Sequence, residues 1–439
     1  MSTSANLLQA VETYKKSMLA RLLNLNCFLN ISNKRFKNFQ DQGVPGSVNL
    51  GSTVLFDAPP RFASSSGLVV STFGNVAQEV RTLTVNNAQN VNFAVSAEQL
   101  IFNVDNNDYR ETFEKSAVTE LGSVIEQSVA GVVETNTYRY YNPGVTGSGP
   151  YNVAPVNSYG QLANAIAQHQ SYGSAPTDYE MILPNLAVPN IINSGLNQFA
   201  LTRNNEIANS WDLGRWDNVQ FYKSNLLPLH TSGTTGNSQQ LLTVVSVTRQ
   251  ADDGITSITF SGATASDASA VLAYDLFQFQ DQVTGQPNVH FLTWTGHATT
   301  GLPFQFASTA NVAATSGGDV TIPCNPIIYD ATAVSSNPFV ARYQNTGVTI
   351  AAGMQVLGVP THRCGVIWSG KPLFLAMPQL PDQSPFATAS DPDEYTGASI
   401  RLTTGAQFGQ DIYGSILDAI WGFTLVQEYS MRMVFPVNV

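Results

Sequence analysis

The sequence predicts an α+β fold with a separate, purely β region set into it, and three observations carry that prediction. An apolar stripe at helical spacing runs from Asn107 to Thr135. Strand-like alternation leads into it over residues 80–102. From about residue 220 to 345 helical spacing gives way to short alternating runs separated by turn pairs.

The stripe of Phe113, Ala117, Leu121, Val124, Ile125, Val129, Val132 and Val133 lies on one face, with Glu114, Lys115, Glu120, Glu126 and Gln127 largely on the other. Asp108 and Glu111 have capping-box spacing at its start. At 1.5 Å per residue a continuous helix from Asn107 to Thr135 spans roughly 40 Å. Gly122 and Gly131 each weaken it by about 1 kcal/mol relative to alanine, so packing on a sheet must hold it. That sheet is expected to contain strands from residues 80–102 and from the last twenty residues.

Before this helix, residues 5–23 form an amphipathic pattern through Leu7, Leu8, Val11, Tyr14, Met18, Leu19 and Leu22. From Phe36 to Asn75 glycines and prolines interrupt short apolar pairs, including Val54-Leu55-Phe56 and Leu68-Val69-Val70. A loop this long is functional, disordered or an extended hairpin. The hairpin fits best, with a neighbouring molecule covering it. Residues 80–102 alternate through Val80, Leu83, Val85, Val91, Phe93 and Val95.

Beyond the long helix, Tyr159 to His169 carries Leu162, Ala163, Ile166 and Ala167 at helical spacing. Tyr179 to Pro184 reads as a strand and Val188 to Leu201 as a helix. The β region follows, with runs at Leu241–Val247, Ile255–Phe260, Val271–Phe279, Val289–Trp294 and Val320–Ile322. Asp253-Gly254, Ser261-Gly262, Thr284-Gly285 and Gly317-Gly318 mark turns between them, the signature of a small barrel or sandwich. Helical spacing returns at Ile412 to Trp421, and two strands are expected to follow.

Composition narrows the function. The chain has 439 residues, 43% of them hydrophobic and only 12% charged, about half the usual charged fraction. Chains this poor in charge bury much surface against neighbours, or are secreted β proteins. A net charge of −11 argues against an extended phosphate-gripping surface. It is compatible with enclosing nucleic acid. Cys27, Cys324 and Cys364 cannot all pair within the chain and lack CxxC spacing, so they read as thiols of a reducing compartment. The most apolar run, Ile416 to Val426, contains Asp418 and falls short of the ~20 residues of a membrane span. Lys15, Lys16, Arg21, Asn24 and Asn26 interrupt any signal-peptide core, so a soluble, cytoplasm-made protein is expected.

No motif supplies chemistry. Gly233-Thr234-Thr235-Gly236-Asn237-Ser238 lacks the lysine of a phosphate-binding loop. His290 with His297, and His362 with Cys364, lack metal-ligand spacing. Asp391, Asp393 and Glu394 around Pro392 read as a solvated acidic turn. No catalytic, cofactor-binding or metal residue is assigned, which favours a structural, non-enzymatic protein.

The order of arm helix, extended loop, strand, long helix, α+β domain and terminal strands resembles the major capsid protein of tailed bacteriophages, the Hong Kong 97 fold. The closest branch is the coat protein of short-tailed phages of the Salmonella type, which carries an inserted β-barrel. Within the insertion, Asp275-Leu276-Phe277-Gln278-Phe279 leads through Asn288-Val289-His290 to Gln305-Phe306-Ala307. Asp319-Val320-Thr321-Ile322-Pro323 and Pro326-Ile327-Ile328 are similar to its closing strands. His362-Arg363-Cys364-Gly365-Val366-Ile367 with Leu373 to Pro378 resembles the strand before the final loop, and Asp418 to Gly422 with Glu428 the closing helix-to-strand turn. One departure is Tyr274, which stands before Asp275 where the resemblance implies glycine.

The resemblance implies an N-terminal arm helix at 1–35, an extended E-loop at 36–79 and a peripheral domain with the spine helix at 80–155. An axial domain begins at 156–221, the β-barrel occupies 222–345, and 346–439 return to the axial and peripheral domains. It further implies a virion protein assembled in a host bacterial cytoplasm, without cofactor, forming hexamers and pentamers of identical subunits. Scaffolding, portal and decoration proteins are the implied partners, with double-stranded DNA enclosed without sequence-specific binding and no membrane. The competing reading is a β-rich tail or attachment protein, or a secreted carbohydrate-binding protein, with Tyr138, Tyr140, Tyr141, Trp211 and Trp216 as sugar platforms.

Overall fold

The computed structural model describes residues 27–32, 53–57, 62, 80–96, 106–143, 153–173, 178–193, 215–216, 219–280, 288–294, 296–381, 387–392, 399–406 and 412–437. They belong to two compact units. The first comprises the described parts of Met1–Ala58, Val80–Ala130 and Lys371–Leu425, and the second those of Pro59–Glu79, Gly131–Gly370 and Val426–Val439.

In the first unit β1 (Thr53–Asp57) and the 17-residue β2 (Val80–Ser96) pair antiparallel. With strands numbered along the chain, β17 (Leu373–Ala376), β18 (Ala387–Pro392), β19 (Ser399–Ala406) and β20 (Ile412–Leu425) complete a six-stranded sheet. Its order is β1-β2-β20-β19-β18, with β17 also pairing β20. The longest pairing runs from Val85 opposite Gly422 to Ser96 opposite Ile412. Gly422 permits it: a Cβ there would stand 2.7 Å from Val85 Cα and closer still to the Thr84 carbonyl oxygen.

Helix α2 (Asn106–Ala130) lies on this sheet, burying Ala117, Val118, Leu121, Ile125, Val129 and Ala130. On the inner face of β20 Leu417, Ala419 and Trp421 are buried, and the Trp421 indole donates to Ser128 Oγ at 3.3 Å. Glu126 lies on the buried side, contrary to its expected place on the polar face. Its carboxylate accepts the backbone N–H groups of Cys27 and Phe28 at 3.0 and 3.1 Å, seating the short helix α1 (Cys27–Ile31). Free N–H groups at a helix start favour an anionic acceptor, which explains why a carboxylate is tolerated there.

Several expectations are corrected here. The long helix ends at Ala130 and one turn, α3 (Val132–Thr135), resumes after Gly131, so it is not continuous to Thr135. Glycine, with no side chain to pack and the largest backbone entropy, is where it gives way. The helix already runs at Asn106, so Asp108 lies within its first turn rather than ahead of it. Residues 412–421, expected to be helical, are strand: Leu417, Ala419 and Trp421 point inward, while Ile416 is exposed. The misleading signal is that Ile416 and Ile420, and Leu417 and Trp421, are also four apart and so satisfy both periods. Asp418 to Gly422 is therefore mid-strand rather than a helix-to-strand turn, and Asp418 faces Arg401 directly across the ladder. Val54-Leu55-Phe56 do form a strand, but its partner is the start of β2, with Leu55 opposite Thr82. Val69, Val70 and the amphipathic stretch 5–23 lie outside the described residues.

The second unit contains a seven-stranded sheet and a closed six-stranded barrel. The sheet uses β3 (Tyr140–Tyr141), β4 (Tyr179–Pro184), β5 (Arg215–Trp216), β6 (Val219–Ser224), β7 (Leu229–His230), β16 (His362–Ser369) and β21 (Ser430–Phe435). Its order is β3-β21-β16-β4-β6-β5, with β7 on β16. Of the two strands expected to return to the sheet of the long helix, β21 instead joins this one, paired with β16 from Arg363 opposite Phe435 to Trp368 opposite Ser430. Helix α4 (Tyr159–Ser171) is capped by Ser158, whose hydroxyl accepts Gln161 N–H at 3.3 Å, and buries Leu162, Ala165, Ile166 and His169. Helix α5 (Ala187–Asn193) follows, and the expected continuation to Leu201 lies outside the described residues.

The barrel strands are β8 (Leu242–Arg249), β9 (Ile255–Ser261), β10 (Leu276–Phe279), β13 (Gln305–Ser308), β14 (Val320–Ile328) and β15 (Gln355–Gly358). They close in the order β10-β13-β14-β9-β8-β15, so the sixth strand comes from beyond residue 345. Phe260, Phe277, Phe279, Phe304 and Phe306 fill the interior, with Phe277 and Phe306 stacked at 5.4 Å. The hairpin of β11 (His290–Leu292) and β12 (Thr299–Pro303) stands beside it. The run expected as one strand from Val271 to Phe279 is a strand only from Leu276. Before that, Tyr274 turns the chain at φ 70°, the left-handed conformation that a glycine would take without strain.

Candidate functional site

Among the described residues, a group of ionisable side chains lies in the second unit, where barrel meets sheet. His230 on β7 is buried and touches carboxylates at both ring nitrogens: Nδ1 is 2.8 Å from Glu134 Oε1 and Nε2 is 2.9 Å from Asp275 Oδ1. Glu134 belongs to α3, and Asp275 is the residue entering β10. Asp275 also accepts the N–H groups of Gly233 at 3.0 Å and Leu272 at 2.8 Å. The Gly-Thr-Thr-Gly loop, with its short helix α6 (Thr234–Asn237), thus has an internal carboxylate as its anion.

Beside His230, His362 stands at 5.2 Å between ring centroids and is its direct cross-strand partner. Burial, then the charges of Arg432 and His230, holds His362 well below the ordinary histidine range. The neutral ring donates from Nδ1 to the Pro360 carbonyl at 2.7 Å and accepts from Arg432 Nη1 at 3.4 Å. The remaining Arg432 donors reach Thr137 Oγ1 at 3.0 Å, Thr137 O at 3.2 Å and the Glu134 carbonyl. Burial pushes the Cys364 thiol up to about 11, so it is not a thiolate nucleophile near neutrality.

A second polar seam joins the same two elements. Tyr140 N–H donates to Gln305 Oε1 at 2.8 Å, Gln305 Nε2 returns a bond to the Tyr140 carbonyl at 3.0 Å and another to Gln278 at 3.1 Å. Arg139, fully buried, lies 4.5 Å from the Tyr172 ring centroid and donates to the Glu428 and Ser430 carbonyls. Burial raises the Tyr172 phenol to about 12, and burial with the Arg139 charge holds His169 well below the histidine range.

The other residues singled out by sequence are dispersed. Tyr138, Tyr140 and Tyr141 are buried in the core, so they offer no sugar platform. Trp216 lies on β5, and Trp211 is outside the described residues. His290 and His297 sit at opposite parts of the β11–β12 hairpin, His297 against the Gln344 carbonyl at 3.2 Å. Asp391 and Pro392 are the last residues of β18 rather than a turn, held in the ladder opposite Ile400 and Ser399. Asp393 and Glu394 lie outside the described residues. Among the described residues no group of three or more His, Cys, Asp and Glu side chains could hold a metal, and no helix is long and apolar enough to cross a membrane. The Glu134–His230–Asp275 set was not legible from sequence, because its members are far apart in the chain and come from three different elements.

No family model matches the chain, and no curated protein does. Solved structures similar to it include a chain of Mycobacterium phage Che8, at 6% identity over 93% of this chain and 90% of that one with a TM-score of 0.44. The capsid of cyanophage P-SCSP1u is similar at 9% identity, 92% and 88% coverage and a TM-score of 0.41. A virus-like particle from Pyrococcus furiosus is similar at 7% identity, 97% and 99% coverage and a TM-score of 0.38. At these identities and TM-scores the functional reading rests on the residues of the chain itself.

Proposed function

We propose that this chain is the major capsid protein of a tailed bacteriophage, self-assembling into an icosahedral shell around double-stranded DNA. The observation that carries the reading is the first unit: a 25-residue helix laid on a sheet whose two longest strands, β2 and β20, come from opposite ends of the chain. The closed barrel of the second unit supports the reading, since the resemblance to the short-tailed Salmonella-phage branch implies an inserted β-barrel. The outward face of β2 also suits a subunit whose surface is covered by others. Thr82, Thr84, Asn86, Ala88, Asn90, Asn92 and Ala94 are exposed along it without a single charge.

Shell assembly needs no active site. Each contact of about 2,000 Å² is only modestly favourable, because ordering and lost freedom offset most of the ~25 cal/mol gained per Å². Closure multiplies it over every interface. Identical subunits in hexamers and pentamers, a scaffolding protein, a portal and a decoration protein are the partners under this reading, with assembly in the host cytoplasm. DNA would be enclosed by a chain of net charge −11 without base readout.

Sedimentation and light scattering of the purified full chain, beside a glycan array, test the proposal. Large, narrowly distributed particles with no glycan binding are expected. A monomer that binds a defined sugar would favour the attachment-protein reading instead.

A further inference from the structure

The tip of the hairpin between β8 and β9 carries the dipeptide Asp253-Gly254. The chain has 33 glycines, yet no asparagine precedes one and this is the only aspartate that does. Asp-Gly is the aspartyl sequence most open to cyclisation, because glycine gives the backbone nitrogen no side-chain shield and the widest conformational freedom. Packing and backbone together demand the pair. A Cβ on residue 254 would stand 2.7 Å from Ile327 Cγ2 and 2.9 Å from Tyr329 Cε1, so only glycine fits. Asp253 takes φ 65°, the left-handed conformation that aspartate and asparagine tolerate better than other side chains.

The peptide unit joining the two residues is held at both ends. Its N–H, on Gly254, donates to Asp252 Oδ1 at 3.1 Å, and its carbonyl, on Asp253, accepts from Arg249 Nη1 at 2.8 Å. Asp252 is itself anchored. Its Oδ2 accepts the Tyr329 hydroxyl at 2.9 Å, and Gln250 Nε2 donates to the same hydroxyl oxygen at 3.3 Å. Burial alone would raise the Asp252 carboxyl, but the bonds from Gly254, Gln250 and Tyr329 hold it below the usual carboxylate range, so the acceptor stays charged. Tyr329 is fixed in turn by its N–H bond of 3.0 Å to Asn345 Oδ1 and by the Tyr343 ring, 5.7 Å away between centroids.

We propose that Asp253-Gly254 is a latent isoaspartyl site, and that Asp252 and Arg249 guard it by holding its peptide unit against cyclisation. In the reaction the Gly254 nitrogen bonds to Asp253 Cγ and the Cγ–OH bond of the protonated carboxyl breaks. The nitrogen's proton leaves with that hydroxyl as water, which closes a five-membered imide. Water then adds back in one of two ways. Opening at Cγ restores aspartate, whereas opening at the backbone carbonyl leaves the chain running through the Asp253 side chain, one carbon longer. To begin, the peptide unit must turn about the Asp253 Cα–C bond and give up both of its hydrogen bonds. The added carbon displaces the groups that Arg249 and Asp252 hold, so a chain that has reacted cannot re-form the guarded turn. This inference stands whether or not the chain forms a shell.

The test is peptide mass mapping of the full chain after prolonged warm incubation in mildly acidic buffer, with the guanidinium-unfolded chain as the unguarded reference. The imide reads as loss of one water from the peptide containing Asp253-Gly254, and isoaspartate as labelling by an isoaspartyl methyltransferase. The unfolded chain should react at Asp253 ahead of every other aspartate, and the folded wild type about tenfold or more slowly. Asp252→Ala removes the acceptor and should react about tenfold faster than folded wild type, the effect of losing one hydrogen bond to a charged group. Asp252→Asn keeps an acceptor oxygen and should stay slow. Equal rates in folded and unfolded wild type overturn the guard, and so does an Asp252→Ala chain that melts like wild type and reacts no faster. If Asp252→Ala does not fold, Tyr329→Phe decides, since it keeps the ring and only releases Asp252 Oδ2: a raised rate at an unchanged melting temperature supports the guard, and the wild-type rate refutes it.

Discussion

Asp330 offers the sharpest energetic test of the barrel. Its carboxylate is fully buried and accepts four hydrogen bonds: Arg249 Nη1 at 2.9 Å, Arg249 Nη2 at 2.7 Å, Ala333 N–H at 3.0 Å and Ile350 N–H at 3.1 Å. It thereby ties β8 to the cap of helix α7 (Ala331–Ser336) and to the segment that leads into β15, the strand that closes the barrel. Asp330→Ala removes a bidentate charge pair and leaves two buried N–H groups without an acceptor. Breaking a buried pair from one side destabilises by about 3–5 kcal/mol, and the lost cap is contained within that figure. For a unit of this size the loss corresponds to roughly 10 °C in melting temperature. Asp330→Asn keeps the shape and one acceptor and should lose less. Burial alone would raise the Asp330 carboxyl, but its bonds from Arg249, Ala333 and Ile350 outweigh that and hold it below the usual carboxylate range. A depressed carboxyl contributes stability that is present above its unfolded value of about 3.9 and is lost as pH falls through the folded value. Calorimetry of both variants from neutral pH to about pH 3 reads both effects. A loss under about 1 kcal/mol for Asp330→Ala, or a pH dependence identical to wild type, would refute the reasoning.

Further outcomes follow from other contacts. Gly422→Ala drives a Cβ into Thr84 and Val85 across the β2–β20 ladder and should destabilise the first unit by about 3 kcal/mol, seen as an early melting transition. A fragment of residues 222–345 lacks β15, which pairs both β8 and β10, so it should melt without cooperativity, whereas 222–361 should give a single sharp transition by circular dichroism. Cys324 and Cys364 are buried and burial raises both thiols, so a thiol-specific reagent at about pH 8 should label them only after denaturation.

Where one period dominated, the sequence was sufficient. The Ile255–Ser261 strand alternates, the Tyr179–Pro184 run is short and closed by proline, and the α2 stripe recurs at helical spacing; both strands lie where the sequence predicts them, and the helix stops only at Gly131. It failed where letters satisfied two periods, as in Ile412–Leu425, and where tertiary contacts override local preference. Glu126 reads as a surface residue in its own helix, and only the approach of Cys27 and Phe28 makes it a buried cap. Tyr274 has the conformation expected of a glycine, imposed by its N–H bond of 2.8 Å to the Ser308 carbonyl and by the barrel that follows. The polar joint was hidden for a different reason. Glu134, His230, Asp275 and Arg432 carry no common spacing, and a lone histidine in sequence gives no sign of the carboxylates that fold against it.

Electron microscopy of the chain expressed with its neighbouring genes tests the central claim most directly. The account predicts closed, icosahedral shells whose reconstructed subunits each contain the 106–130 helix on the β2–β20 sheet and a six-stranded barrel. Monomers or small oligomers under the same expression, with no closed particle at any stage of purification, would contradict it.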